Sequence, residues 1–543
     1  MKVYEAIGRR IAEEGTPAVF GLMGDGNLKL IPYLSSELGI AFYGARHESG
    51  AVAMADGWAR VTGKVGVCTF TQGPGLTNAL TALVSAQRGR TPMVVLCGDT
   101  PEAVVGLPQD IEQRPFLAAA GVPVQELRSA DVVPSVAAAF RRARTERRPI
   151  ALNLPTDFQE LECEWVELTA ELDPPAEPAP PGEAELNAAA QAISEAQRPV
   201  VIAGRGAIEA GAREEIVRFA DRIGALLATS LPAKSWFDGH PFAIGIAGGF
   251  ASELGRDLIW EADCVIVFGA SVNHFTSRGG TLFGPGTTIV QCDLDPSAFG
   301  RYVPAQLTVT GDALTVAAAL ADRVPAGDGC RSDELHARIV AGPVGQIDES
   351  GPESLDPRVL SRRLDSIVPA DRTLVVDGGH FMGFPSMDIA VPRPSRFVFT
   401  LDFGSIGLGL AAAVGAAVAC PDRITVVAVG DGGLMMSLGE LDTAVRYRLP
   451  MLVVIYNDGA YGAEMHFLRM MDLPDAESLF EVPALDEVAR AMGADGLAVR
   501  TLDDLAGVPE RLGAMDGPLV LDCQVSRSVR AEWLEEAFQR GTH

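Results

Sequence analysis

Short apolar runs recur along the chain, each parted from the next by a longer stretch whose apolar residues return every three or four positions. The runs at 18–23, 65–70, 93–97, 150–154, 199–203, 225–229, 264–268, 288–292, 424–429 and 451–456 are nearly free of polar interruption. Strands that alternate would have one wet face; strands this continuously apolar are buried on both, as in parallel sheets covered by helices. The stretches between them, such as 49–62 and 75–88, have the composition and period of the covering helices. Two segments break the pattern. Residues 172–184 are rich in Pro and Glu, and residues 341–357 are rich in Gly and Pro. They read as linkers. The pattern therefore predicts an α/β chain of three doubly wound parallel-sheet domains, at 1–171, 185–340 and 357–543.

The most informative stretch is 426–462. The run at 424–429 ends in a Gly-Asp-Gly-Gly turn, with Asp431 between Gly430 and Gly432. An amphipathic helical stretch follows, and the run at 451–456 ends at Asn457, Asp458 and Gly459. A right-handed strand–helix–strand unit is expected. It sets a carboxylate and a carboxamide at the carboxyl ends of two strands, where open α/β sheets bind ligands. Asp431, the Asn457 side chain and a backbone carbonyl at Gly459 are hard oxygen donors suited to Mg²⁺. Gly432 and Gly433 allow backbone N–H groups close to a phosphate at a helix start. Two ordinary polar-capped turns would contain such residues singly. A GDG followed after 24 residues by Asn is more specific.

Composition narrows the class. The 543 residues carry 44 Lys+Arg against 71 Asp+Glu, a net charge of −27. That argues against nucleic acid and anionic membrane surfaces as partners. The eight cysteines are scattered without CxxC pairs, which points to buried free thiols in a reducing compartment. The first 15 residues form an amphipathic helical pattern with charges throughout, unlike a signal peptide. The longest run of small apolar residues, 407–420, is too short to span a membrane. A cytoplasmic protein is expected.

The GDGG…YND pattern resembles the cofactor motif of the thiamine diphosphate (ThDP)-dependent decarboxylase and acetolactate synthase superfamily, and the three-domain pattern extends the resemblance over nearly the whole chain. The resemblance implies a pyrimidine-binding domain, a central Rossmann-like domain and a diphosphate-binding domain. It implies ThDP and Mg²⁺ as cofactors, with Asp431, Asn457 and Gly459 as metal ligands. Gly432, Gly433, His380, Ala460 and Tyr461 would meet the diphosphate. The segment Asp402–Gly407 is similar to the family's pyrimidine grip, in which the Gly404 carbonyl and the Ile406 N–H bond the ring and the Ile406 side chain supports the bent cofactor. The segment RHE before a small-residue helix resembles the one carrying the activating glutamate, here Glu48. As the first acid of a helix, Glu48 also complements the helix dipole.

Three further residues are candidates by resemblance. Asp25, in GDGN, matches a substrate-facing aspartate of pyruvate-type decarboxylases; a helix N-cap is its alternative role. Gln113 matches an active-site glutamine of benzaldehyde lyase and oxalyl-CoA decarboxylase. Glu464 matches a glutamate that assists protonation or product release, after a one-residue gap. The histidines typical of the decarboxylases are missing near residue 71, and TQGPGLTN resembles the synthase loop instead. In the central domain the glycine turn at 204–206 lacks GxGxxG spacing. Relatives hold FAD, ADP or nothing there, and an empty structural domain is the expectation.

The resemblance thus implies an enzyme acting on a 2-oxo acid or related ketone, by decarboxylation with aldehyde release or by carboligation to a 2-hydroxyketone. An acetolactate synthase-like acyl transferase and a catalytically silent ThDP-binding homologue are the alternatives. The family's site lies between subunits, so a homodimer or homotetramer is expected.

Overall fold

The computed structural model describes residues 1–104, 106–168, 178–342 and 346–534. Residues 169–171 of the first predicted domain, 172–177 of the predicted linker, 343–345 of the second connection and 535–543 at the chain end lie outside the described residues.

The strands in chain order are β1 (Ala18–Gly21), β2 (Ala41–Gly44), β3 (Gly66–Phe70), β4 (Met93–Asp99) and β5 (Pro149–Pro155); β6 (Pro199–Ala203), β7 (Leu226–Thr229), β8 (Ala243–Ile246), β9 (Cys264–Phe268), β10 (Thr288–Asp293) and β11 (Leu307–Thr310); then β12 (Arg372–Val376), β13 (Phe397–Phe399), β14 (Ile424–Gly430), β15 (Met451–Asn457), β16 (Asp495–Val499) and β17 (Leu519–Gln524). They form three sheets, ordered β2-β1-β3-β4-β5, β11-β10-β9-β6-β7-β8 and β13-β12-β14-β15-β17-β16. The three parallel-sheet α/β domains are as the apolar runs predicted. Most strands the runs did not reveal are short or half-wet; β12 and β17 are buried, with Arg372, Thr373, Asp522 and Gln524 interrupting their apolar runs. In β2 no residue is buried, because it lies at the sheet edge.

Two compact units are distinguished. One comprises Met1–Pro175, Ser350–Met382 and Val398–Arg527 and contains the first and third sheets. Inside it, the Glu48–Thr62 helix packs directly on the Gly409–Ala419 helix. Gly57 faces the Ala412 carbonyl and Gly415 faces the Met54 carbonyl so closely that a Cβ at either would collide with backbone. The small-residue composition of both helices is what allows this approach. Arg60, two turns further along the first helix, donates to Asp402 Oδ2 at 2.6 Å and to the Phe399 carbonyl at 3.2 Å. The helix that starts at Glu48 and the loop before the Gly409 helix are thereby tied together.

The second unit comprises Ala176–Glu349, Gly383–Phe397 and Ser528–His543. Alternate residues of its strands enter two separate cores. Val201, Ala203, Leu227, Ile266 and Phe268 face one, and Val200, Ile202, Leu226, Val265 and Val267 face the other. The sheet is therefore covered on both sides, as its unbroken apolar runs require. The glycine turn after β6 packs on the loop after β9: the Gly206 N–H donates to the Gly269 carbonyl at 3.0 Å, and a Cβ on Gly206 would stand 2.9 Å from Gly269 Cα. Close loop packing accounts for these glycines.

All eight cysteines are free thiols, and all but Cys330 are buried. Among the described residues, no helix is long and apolar enough to cross a membrane.

Candidate active site

The strands β12, β14 and β15 are neighbours in register, with Val376 beside Ala428 and Gly430 beside Tyr456. Their carboxyl ends therefore bring three turns together. Asp431 is the first residue of the Asp431–Ser437 helix and is 2% exposed. The helical stretch expected after it is divided into Asp431–Ser437 and Gly439–Arg446. Burial, reinforced by the nearby Asp458, pushes the Asp431 carboxyl up to about 7. Burial likewise pushes Asp458 up to about 6. Backbone N–H groups of Gly432 and Gly459 reach the Asp431 carboxylate, yet its Oδ2 has no hydrogen-bond partner. Asn457, 3% exposed, ends β15. Its Nδ2 donates to Asp522 Oδ1 at 2.8 Å, and its Oδ1 accepts the Gly459 N–H at 3.2 Å.

A divalent cation fits this arrangement. It would satisfy the orphaned buried oxygen of Asp431 and offset the repulsion between Asp431 and Asp458. The donors are hard oxygens, as Mg²⁺ requires. Among the described residues no three His, Cys, Asp or Glu side chains converge as a metal site; a carboxylate and a carboxamide make up this one. The Gly459 carbonyl accepts the Phe480 N–H at 3.1 Å and, from the exposed Arg527, Nη2 at 3.1 Å. Gly459 contributes its N–H, which holds both Asp431 and Asn457.

The phosphate candidates surround the same turn. A Cβ on Gly432 would stand 3.2 Å from Tyr461 Cε1, and one on Gly433 2.6 Å from Asp377 Oδ2. A Cβ at Gly433 would collide with the Asp377 carboxylate, while one at Gly432 would press on the edge of the half-exposed Tyr461 ring. The Tyr461 ring packs on Phe480 at 4.9 Å between centroids and stays half exposed. Ala460 is buried, and its N–H donates to Asp458 Oδ1 at 3.1 Å. His380 is buried beside His466, ring centroids 4.5 Å apart, and burial carries it down to about 3. It is a neutral imidazole, a hydrogen-bonding group and not a cation.

The loop carrying Gly404 and Ile406 is anchored by Asp377, which is fully buried. Asp377 Oδ2 accepts the Gly407 N–H at 2.8 Å, Oδ1 accepts Thr400 Oγ1 at 3.3 Å, and the N–H groups of Gly378 and Gly409 also reach the carboxylate. Gly404 has φ +81°, and no atom lies within 4 Å of its Cβ position. Ile406 packs towards Gly378, its Cγ2 being 3.1 Å from a Cβ built there.

In the first sheet's domain Glu48 opens its helix and is buried, with Asn78 Nδ2 donating to its Oε2 at 3.0 Å. The turn before it is held by Glu440, itself 2% exposed, which accepts the N–H groups of Arg46 and His47 at 3.1 and 3.0 Å. Asp25 is exposed and starts the short helix Asp25–Asn27 without capping it; Gln72 Nε2 approaches its Oδ2 at 3.5 Å and donates to Gln109 Oε1 at 2.9 Å. Gln113 is different. It is 3% exposed, its Nε2 donates to the Gly98 carbonyl and Asn153 Oδ1 at 2.9 and 2.8 Å, and its Oε1 accepts the Gly73 N–H at 3.0 Å. Its two amide hydrogens are donated and its oxygen accepts one N–H, so it braces the Gly73 turn. Glu464 is exposed in the first turn of the Gly462–Met470 helix.

Three family models match the chain in order: the thiamine pyrophosphate enzyme N-terminal TPP binding domain over residues 1–119, the central domain over 186–320, and the C-terminal TPP binding domain over 378–523. The chain belongs to the ThDP enzyme superfamily. Among ThDP enzymes it is 29% identical to the sulfoacetaldehyde acetyltransferase of Castellaniella defragrans, over 93% of this chain and 89% of that one. It is 28% identical to the acetolactate synthase isozyme 3 large subunit of Escherichia coli, over 84% and 82% respectively. The benzoylformate decarboxylase structure from Polynucleobacter necessarius superposes with a TM-score of 0.81 at 21% identity, covering 97% of this chain and 99% of that one. That likeness establishes a shared ThDP-enzyme fold.

Several residues escaped sequence reasoning. Asp377, Asp522, Glu440 and Asn78 act through partners distant along the chain. Gln72 and Gln109 lie in glycine- and proline-rich loops beside residues that were singled out. Only the apolar run at 519–521 before Asp522 carried a signal: a lone buried carboxylate after it demands a partner.

Proposed function

We propose that this chain is a ThDP- and Mg²⁺-dependent enzyme that breaks or forms the C–C bond beside a carbonyl, with a 2-oxo acid as donor. The observation that carries this is the unpartnered, buried Asp431 oxygen beside Asn457, at the carboxyl ends of adjacent strands in a ThDP-family chain. When bound, ThDP supplies a carbon nucleophile and an electron sink. Asp431 and Asn457 hold the metal ion and, with it, the diphosphate. The backbone at Gly432 and Gly433, with neutral His380, donates to phosphate oxygens. Ala460 and Tyr461 wall that cradle. The Gly404–Ile406 loop grips the aminopyrimidine. Glu48 exchanges a proton with that ring, its carboxylate set by Asn78. Asp25, Gln72 and Gln109 face the substrate, and Glu464 delivers a proton to the product.

The site is shared between two copies of the chain. Glu440 holds the turn before Glu48, and it stands nine positions past Asp431. In this reading Glu48 of one copy faces the metal turn of another, with a homodimer as the minimal active unit and a tetramer as its doubling.

Carboligation or acyl transfer is the second reading, in line with relatives named acetolactate synthase and sulfoacetaldehyde acetyltransferase. It is favoured by the absence of an imidazole beside Asp25. His47 is the one histidine in residues 1–171, and its Nδ1 caps the Glu48 helix by accepting the Ser49 N–H at 3.1 Å. Amide and hydroxyl groups stand where a proton-delivering histidine would be needed.

The test incubates the protein with ThDP, Mg²⁺ and a panel of 2-oxo acids, with and without aldehyde acceptors, and reads products by mass spectrometry. Aldehyde from a single acid assigns a decarboxylase. A new hydroxyketone or hydroxy acid appearing only with acceptor assigns a carboligase. No turnover from any donor, with ThDP bound, assigns the silent homologue and overturns the proposal. Glu48→Gln is expected to abolish turnover and to keep ThDP binding.

A further inference from the structure

Asn457 can face its surroundings in two ways, related by a half-turn of its carboxamide. One presents an oxygen to a cation and the other an –NH₂ group, which repels it. The two are nearly equal in shape, so hydrogen-bond partners must decide between them. The decision comes from β17. Asp522 is the register partner of Ile455, and side chains two apart on a strand share a face, so Asp522 lies on the face that carries Asn457. Asp522 is 3% exposed and follows the apolar run at 519–521. Its Oδ1 accepts Asn457 Nδ2 at 2.8 Å and Gln524 Nε2 at 3.2 Å, and its Oδ2 accepts the Leu485 N–H at 3.0 Å. Three donors converge on its two oxygens. The opposite Asn457 orientation would set oxygen against that carboxylate and –NH₂ against the Gly459 N–H, losing two bonds at once.

We infer that Asp522 is a positioning residue for the metal site: it locks the Asn457 carboxamide with its oxygen towards the cation. Partners behind a metal ligand commonly set its orientation and basicity in this way. The inference rests on the Mg²⁺ site proposed above and adds the residue that decides the ligand's polarity. Burying a carboxylate in an apolar strand is costly, and fixing that polarity is the benefit that offsets the cost.

The test measures Mn²⁺ affinity of the full chain, in the presence of ThDP, from the electron paramagnetic resonance signal of free Mn²⁺. Asp522→Leu is expected to weaken Mn²⁺ by roughly tenfold to a hundredfold. The same substitution is then made together with Asn457→Asp. A carboxylate has two equivalent oxygens, so orientation no longer matters, and Asp522→Leu should cost nothing there or tighten binding by removing a like charge. Loss in the first background alone supports the inference. Equal loss in both backgrounds, or none in the first, overturns it. If Asp522→Leu does not fold by circular dichroism, Asp522→Asn replaces it: three donors then compete for one oxygen, and a loss of about threefold to tenfold confined to the Asn457 background is expected. Failure of the unsubstituted chain to bind Mn²⁺ with ThDP overturns the metal site itself, and the inference with it.

Discussion

The Asp377 carboxylate, in the turn after β12, accepts the Gly407 N–H at 2.8 Å from the loop before the Gly409 helix. With Thr400 Oγ1 and the N–H groups of Gly378 and Gly409 on the same carboxylate, it joins the turn after β12 to the loop bearing Gly404 and Ile406. The Gly433 backbone lies against its Oδ2. Asp377→Ala leaves several buried donors unsatisfied, at about 1–3 kcal/mol for each that water does not reach. It should lower the melting temperature and weaken ThDP binding together, as read by differential scanning fluorimetry and isothermal titration calorimetry. Unchanged ThDP affinity would show that the loop is held by other contacts.

Gln113 and Gln109 make a contrasting pair. Gln113→Ala removes three buried hydrogen bonds and should destabilise the chain by about 2–4 kcal/mol, lowering activity only in step with folded fraction. Gln109 meets Gln72 in the loop beside Asp25. Gln109→Ala should raise KM severalfold at unchanged melting temperature. Thermal melts alongside steady-state kinetics separate the two; a KM change for folded Gln113→Ala without loss of stability would return it to the substrate site.

The buried Asp431 and Asp458 carboxyls give the metal-free protein a defined pH response. Their folded-state values, about 7 and about 6, lie above the ordinary value of 3.8. Between about pH 4 and pH 7 the folded chain therefore holds protons that the unfolded chain has released, and stability falls as pH rises through that window. In EDTA, melting temperature should decline from pH 5 to pH 8, and Asp431→Asn should flatten the decline. Mg²⁺ with ThDP should restore stability at pH 8 to the unsubstituted protein and not to Asp431→Asn. A decline of equal slope in both proteins would refute the assignment.

Gly415 approaches the Met54 carbonyl where the Glu48 and Gly409 helices touch. Gly415→Ala is otherwise favourable in a helix interior, by about 1 kcal/mol. Here the added methyl meets backbone, and a net destabilisation of about 1–3 kcal/mol is expected from overpacking. Chemical denaturation monitored by circular dichroism measures it. Stabilisation would mean that the helices are free to separate.

The residues proposed to carry the chemistry stood out in the sequence because their setting is local. Unbroken apolar runs mark strands buried on both faces, and the turns that end them hold Asp431, Asn457 and the paired glycines within a single strand–helix–strand unit. Glu48 was legible as the first acid of a helix of small residues, while its activating role came from the family resemblance of the RHE segment. Period and turn chemistry act over a few residues, so one chain read in order is enough to find them.

Tertiary structure decided which of those groups are available and what orients them. Gln113 is engaged by Gly73 and Asn153, each 40 residues away; Asn457 is oriented from 65 residues away by Asp522; Asp377 grips a loop 30 residues on. The Gly459 carbonyl, eligible as a ligand by spacing, accepts from Phe480 and Arg527. A hydrogen-bonding group can be spent only once, and its competitors for partners come from anywhere the fold brings near. Sequence order locates the donors and acceptors of this site, and packing alone determines which of them remain for cofactor and substrate.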